Sequence, residues 1–187
     1  SPRAHQRRGI ALALSAAGTV DLADELLGRA AVFTGSSGND VITTSDGNDT
    51  INAGAGNDSI SSFGDMGAIV QGGSGDDVIS VGAGALSGEV WMAHNHVNGG
   101  SGADTVTGAD AGDYINGDAG NDSLTGNGGE DMLNGGRGLD YLSGGAGSDQ
   151  LTGGLDNDRL YGGTENDFLN GGLGKDTLNG GAGSDSF

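Results

Sequence analysis

The chain is 187 residues long, with 42 glycines, one proline, no cysteine and a net charge of −19. That length makes one domain the default, the lack of cysteine excludes a disulfide scaffold or a thiolate zinc site, and no apolar run approaches the ~20 residues that cross a bilayer. Glycine and acid in such amounts ordinarily mean disorder, but here both recur at a fixed nine-residue phase, which is neither disorder nor the three-residue period of collagen.

Residues 1–34 lie outside that phase and are expected to form a cap, a strand followed by a short helix. Arg3, Arg7 and Arg8, with His5, form a basic cluster ahead of Ile10, Leu12 and Leu14. A positive start before a short apolar run resembles a signal peptide, and the paired arginines resemble a twin-arginine signal. The preferred reading is a retained cap. Alternation of Ile10, Leu12 and Leu14 fits a strand with one buried face, and residues 21–29 (DLADELLGR) fit a helix ended by Gly28. Repeat stacks expose their end cores and need atypical terminal units to cover them.

From Gly35 the phase begins with GSSGNDVIT, TSDGNDTIN and AGAGNDSIS, which place Asp40, Asp49 and Asp58 at position six. SFGDMGAIV follows, with Ile69 at the apolar position eight, Gly67 in the aspartate slot and Gln71 as one extra residue. GGSGDDVIS restores the pattern with Asp77. Residues 81–98 are read as two repeat lengths that keep the phase but lose the loop chemistry, with Leu86 and Asn95 in the aspartate slots. The degenerate stretches are thus 62–71 and 81–98.

From Gly99 to Phe187 ten copies run without interruption, the last one residue short; GGSGADTVT, GDAGNDSLT, GGAGSDQLT and GGLGKDTLN are examples. Glycines at positions one, two and four can take positive φ, so the first six residues are expected to turn sharply. Residues seven to nine then form a very short strand whose middle residue points inward. The expected core is Ile42, Ile51, Ile60, Ile79, Val106, Ile115, Leu124, Leu133, Leu142, Leu151, Leu160, Leu169 and Leu178. Two copies close one flattened coil of eighteen residues, and coils stack at the ~4.8 Å spacing of paired strands. Ala111, Asp156 and Glu165 replace glycine at position four. Aspartate tolerates the left-handed backbone better than alanine or glutamate, so the turns with Ala111 and Glu165 are expected to deviate.

This pattern resembles the calcium-binding nonapeptide repeat of the RTX family. The resemblance implies an all-β fold, a right-handed parallel β-roll (a β-solenoid) over residues 35–187. It further implies calcium ions held between turns two repeats apart. Carried onto this chain, the ligands are Asp104, Asp113, Asp122, Asp131, Asp140, Asp149, Asp158, Asp167, Asp176 and Asp185, with Asp40, Asp58 and Asp77 upstream. The pairs Asp40–Asp58 and Asp58–Asp77 join the pairs of the main array, for about ten Ca2+ ions with six to eight oxygen ligands each. Asp49 is expected to lack a partner because Gly67 stands opposite. All-oxygen sites suit calcium better than zinc or copper, and magnesium demands a tighter octahedron. With one buried aliphatic per nine residues, the chain is expected to be largely unfolded without calcium. Family members are exported by bacteria and fold outside the cell, which implies a secreted or cell-surface location. The chain stops inside a repeat, so a fragment or end-to-end assembly is expected.

Rival readings stand beside a calcium-folded structural module; the first, implied by the resemblance, is the non-catalytic repeat domain of a secreted hydrolase, epimerase or toxin. HExxH, GxSxG and a phosphate loop are absent, Gly174-Lys175-Asp176 lacking the spacing of the last, so no catalysis is expected within these residues. His94 and His96 alternate on one strand, which leaves a metal or catalytic role open beside a plain surface one; Glu89 and Glu130 form no carboxylate pair. A self-assembling fibre, adhesin or surface-layer protein is the second, since an uncovered strand edge invites another chain; Leu86, Trp91 and Met92 are either a lateral contact patch or local packing. Nucleic acid is not an expected partner of so acidic a chain, and membrane insertion is not expected either.

Overall fold

A computed structural model describes residues 10–13, 18–21, 30–45, 47–63, 67–82 and 94–187. Among the described residues eighteen strands follow one another: β1 Ile10–Ala13, β2 Thr19–Asp21, β3 Ala31–Thr34, β4 Val41–Ser45, β5 Thr50–Ala55, β6 Ser59–Phe63, β7 Ile69–Ser74, β8 Val78–Val81, β9 His96–Ser101 and β10 Thr105–Thr107. The series continues with β11 Tyr114–Ala119, β12 Ser123–Gly128, β13 Met132–Arg137, β14 Tyr141–Ala146, β15 Gln150–Leu155, β16 Arg159–Thr164, β17 Phe168–Leu173 and β18 Thr177–Ala182. Odd strands form one nine-stranded parallel sheet and even strands the other. The fold is an all-β parallel solenoid, with one strand of each sheet per coil and no helix among the described residues.

Strand length follows from how little the glycines interrupt the chain. From β11 to β18, each six-residue strand joins positions seven to nine of one copy to positions one to three of the next, and the turn is confined to positions four to six. The expected three-residue strand and six-residue turn are therefore corrected. Extended backbone persists through the glycine pair, so that Tyr114 to Asn116 and then Asp118 and Ala119 of β11 all pair with β13. Coils of eighteen residues appear directly in the register, as in Tyr114↔Met132 and Ser123↔Tyr141.

The core is a double file of aliphatic side chains. Ile42, Ile60, Ile79, Val106, Leu124, Leu142 and Leu160 stack from the even sheet, and Phe33, Ile51, Val70, Val97, Ile115, Leu133, Leu151 and Leu169 from the odd sheet, all buried. Leu178, on the final strand, is only partly buried because no coil lies beyond it. Outward residues differ between the faces. The odd sheet carries Gln71, Asn98, Asn116 and Asn134 in register, and Asn134 Nδ2 donates to Asn116 Oδ1 at 2.8 Å. The even sheet carries Thr and Ser at the matching positions 43, 61, 80, 107 and 125.

Two expectations about phase are corrected. Ile51 pairs with Val70, so Val70 is buried and Ile69 is 51% exposed. The extra residue precedes Ala68 instead of falling at Gln71, and Ala68, not Gly67, occupies the aspartate slot opposite Asp49. A one-residue slip exchanges the two faces of a strand, and with apolar residues at both 69 and 70 the sequence pattern does not choose between them. Further on, Val78 pairs directly with Thr105 and Ile69 with His96, a step of 27 residues. Residues 81–98 therefore do not hold two repeats in phase. Asn95 stands in the ladder, no coil separates Asp77 from Asp104, and the surplus falls between Gly82 and His94.

At the other end β1 pairs with β3 and β2 with β4, so both sheets continue upstream of Gly35. The strand expected at Ile10 is present, whereas Asp21 ends a strand instead of opening a helix. The rest of the expected helix, the arginine cluster, Leu14, Leu86, Glu89, Trp91 and Met92 lie outside the described residues.

Candidate metal sites at the turns

Each turn ends on position six, and stacking arranges these positions in two columns. Turns from odd to even strands carry Asp40, Asp58, Asp77, Asp104, Asp122, Asp140, Asp158 and Asp176 without a break. Turns from even to odd strands carry Asp49, then Ala68 and Asn95, then Asp113, Asp131, Asp149, Asp167 and Asp185. All thirteen aspartates expected as ligands stand in these columns. The structure adds the contact Asp77–Asp104, hidden in the sequence by the surplus residues between them.

Within a column each aspartate binds its neighbour through one oxygen. Asp104 N–H donates to Oδ1 of Asp122 at 2.9 Å, Asp122 to Asp140 at 2.9 Å, and Asp131 to Asp149 at 2.9 Å. Asp77 N–H reaches Asp104 Oδ1 across the longer coil at 2.8 Å. Asn95 takes the same part through its amide oxygen, accepting from Ala68 N–H at 2.8 Å. Asp49 is less isolated than expected, since its Oδ1 accepts from Ala31 N–H at 2.9 Å.

The second oxygen is different. Oδ2 of Asp58, Asp77, Asp104, Asp122, Asp131, Asp140, Asp149, Asp158 and Asp167 is buried and has no donor. A buried carboxylate oxygen without a partner is costly. Local backbone shape explains the shortfall. At position two of these repeats φ is positive, including the non-glycine residues Asp118 (φ 81) and Asn127 (φ 81). Position one does not take positive φ; it is glycine in all of these turns but that of Asp58, which has Ala53, and the glycine leaves space, since a Cβ on Gly117 would overlap Oδ2 of Asp122. Glu165 takes φ 80 just as a glycine would, so its expected deviation does not occur, whereas the turn with Ala111 has no left-handed residue at positions two or four.

Electrostatics register the same shortage. Burial, reinforced by the charges of neighbouring aspartates and only partly offset by the N–H bonds, raises Asp122 and Asp131 from the ordinary 3.8 to about 7. Asp77, Asp140 and Asp149 rise to about 6 for the same reasons. Burial also raises Asp49, Asp58, Asp104, Asp113, Asp158 and Asp167. Asp40 runs the other way. Burial acts upward on it too, but the N–H groups of Ser36 and Gly18 and the Ser36 hydroxyl outweigh that and lower it. The only basic side chains among the described residues are Arg137, Arg159 and Lys175, too few to neutralise two columns of carboxylates.

The donor set is one that a hard divalent cation fits. Among the described residues no three His, Cys, Asp or Glu side chains converge on one point, so side chains alone do not enclose an ion and main-chain oxygens must complete the shell. Turn carbonyls line the gaps between stacked coils, and that of Gly135 lies with Oδ2 of Asp122 against the same point beside Gly117. Those of Gly102, Gly120 and Gly129 face Gly120, Gly138 and Gly147 of the next coil so closely that a Cβ there would overlap them. Carboxylate plus carbonyl oxygens, with no nitrogen or sulfur, match calcium chemistry.

The family model of the RTX calcium-binding nonapeptide repeat (4 copies) matches residues 30–62, 64–85, 93–124, 125–160 and 152–187. The chain belongs to the RTX calcium-binding repeat family. No curated protein matches it individually. As an RTX chain it carries the family's acidic position at every turn from Asp104 onward, and upstream of that loses it at Ala68 and Asn95.

His94 and His96 are not brought together as a metal pair. His96 stacks on Tyr114, ring centroids 4.9 Å apart, and His94 Nδ1 lies against the Gly112 carbonyl. Glu130 sits exposed at position five of its turn. Sequence reasoning missed the importance of position two, where a signal was available: Ser36, Ser45 and Ala109 stand where every other aspartate-bearing copy among the described residues carries Gly, Asn or Asp.

Proposed function

We propose that this chain is a calcium-folded structural module of a secreted or cell-surface bacterial protein, non-catalytic within these residues. Nine buried aspartate oxygens without a donor carry the reading, because a folded chain at neutral pH needs positive charge beside them. The ligands are Asp58, Asp77, Asp104, Asp122, Asp131, Asp140, Asp149, Asp158 and Asp167, with Asp176 and Asp185 in the last turns and turn carbonyls from adjacent coils. Calcium bound there supplies charge that offsets the repulsion along each column. The chain's own part is to hold the carboxylates by Oδ1 and keep Oδ2 free at glycine-lined turns. Strands β1 and β2 serve as the first, atypical coil over the upstream end of the core.

Secretion gives this design its use. Extracellular calcium modules have dissociation constants of ~10⁻⁴ to 10⁻³ M, so such a chain stays loose where calcium is scarce and folds where it is plentiful. Far-ultraviolet circular dichroism during a calcium titration is the test. The strand signal should develop cooperatively with calcium and not with equal magnesium; a full signal in chelator would refute the reading.

A further inference from the structure

Three aspartate-bearing turns have no left-handed residue at position two, where Ser36, Ser45 or Ala109 stands. Two of them, in the repeats that begin at Gly35 and Gly108, are closed on their own aspartate. There the position-two N–H faces the turn and donates to Oδ2, Ser36 to Asp40 at 2.6 Å and Ala109 to Asp113 at 2.7 Å. In both turns Oδ1 is filled too. Gly18 N–H donates to that of Asp40 at 2.8 Å, and the main-chain N–H and side-chain amide of Asn95 donate to that of Asp113 at 3.1 Å and 2.8 Å.

In these two turns position two closes the aspartate, whereas in the Asp49 turn, with Ser45 at position two, the side chain of Thr44 bonds the carboxylate instead. Gly, Asn and Asp reach positive φ readily and turn the N–H away, leaving Oδ2 open; Ser36 and Ala109 avoid that region and close it. The closed turns are also placed consistently. Asp40 stands at the head of the first column, and Asp113 at the head of the uninterrupted part of the second, just below Asn95. At both points the residue stacked directly above is not a carboxylate: Gly18 stands over Asp40 and Asn95 over Asp113.

We propose that Asp40 and Asp113 are not calcium ligands but metal-independent terminators, each closing the upstream end of a calcium column with N–H donors where other turns take an ion. This deepens the calcium reading and rests on it. The Asn95 amide takes the place of a cation above Asp113, and the second column upstream of Asp113 is held without calcium.

Native mass spectrometry of the full chain, with bound calcium counted at saturation, tests this. Asp113→Asn should bind as many ions as the wild type, and Asp131→Asn at least one fewer. The double variant A109G/A111G, which lets the turn open, should bind one more; it keeps the test sharp if Asp113→Asn folds poorly. Loss of an ion in Asp113→Asn matching that of Asp131→Asn, or no gain in a folded A109G/A111G, would overturn the proposal. A wild type that binds no calcium would instead overturn the calcium reading, and this proposal with it.

Discussion

At the scale of the residue, the aspartate at position six does two jobs with two oxygens. Oδ1 ties one coil to the coil before it, and Oδ2 is held in reserve. The reserve has a pH signature. Burial raises Asp77 from 3.8 to about 6 and Asp122 and Asp131 to about 7. Raised values mean that the metal-free fold is favoured by protonation: its stability is fully present below about pH 4 and is lost as pH rises through 6 to 7. In chelator, therefore, the strand dichroism should be stronger at pH 4 than at pH 8, and calcium should abolish the difference. The opposite order would contradict the burial of these groups. Backbone strain offers a second check. Glu165 sits at φ 80, which costs a non-glycine residue about 1 kcal/mol or more. Glu165→Gly should raise calcium-bound stability by roughly 0.5–1 kcal/mol after the entropy cost of glycine, read as a higher melting temperature; a lower one would show that the strain is not there.

At the scale of the element, one inward residue per strand carries the packing. Leu160, fully buried between two coils, should lose about 2–5 kcal/mol as Leu160→Ala, and the half-covered Leu178 markedly less; thermal melts in calcium compare the two. The register of β7 gives a further contrast. Ile69→Thr should be nearly neutral and Val70→Thr clearly destabilising, and the reverse result would restore the phase expected from sequence. Much of the element structure was legible from the chain alone, because position eight is apolar and position six acidic in every copy after Gly99. What escaped had physical causes. Ile69 and Val70 are equally apolar, so nothing local chose between the two faces. Asp77 and Asp104 became neighbours only through register, with surplus residues between them. Strand length was underestimated because glycine was read as a turn former, when at position one it makes room for a carboxylate.

At the scale of the whole molecule, two columns of acid run along a core only two side chains wide. The double hydrophobic file is continuous, yet every coil adds one more turn to each of two acidic edges. The position-two N–H closes the turns of Asp40 and Asp113, glycine at position one leaves space beside the carboxylates from Asp77 onward, and Ala68 and Asn95 divide the second column. Small-angle scattering of the full chain at pH 7.5, with and without calcium, bears on this most directly. In chelator the radius of gyration should approach the ~45 Å of an unfolded chain of this length, and millimolar calcium should bring it to less than half that value. A chain equally compact in both solutions would contradict the account.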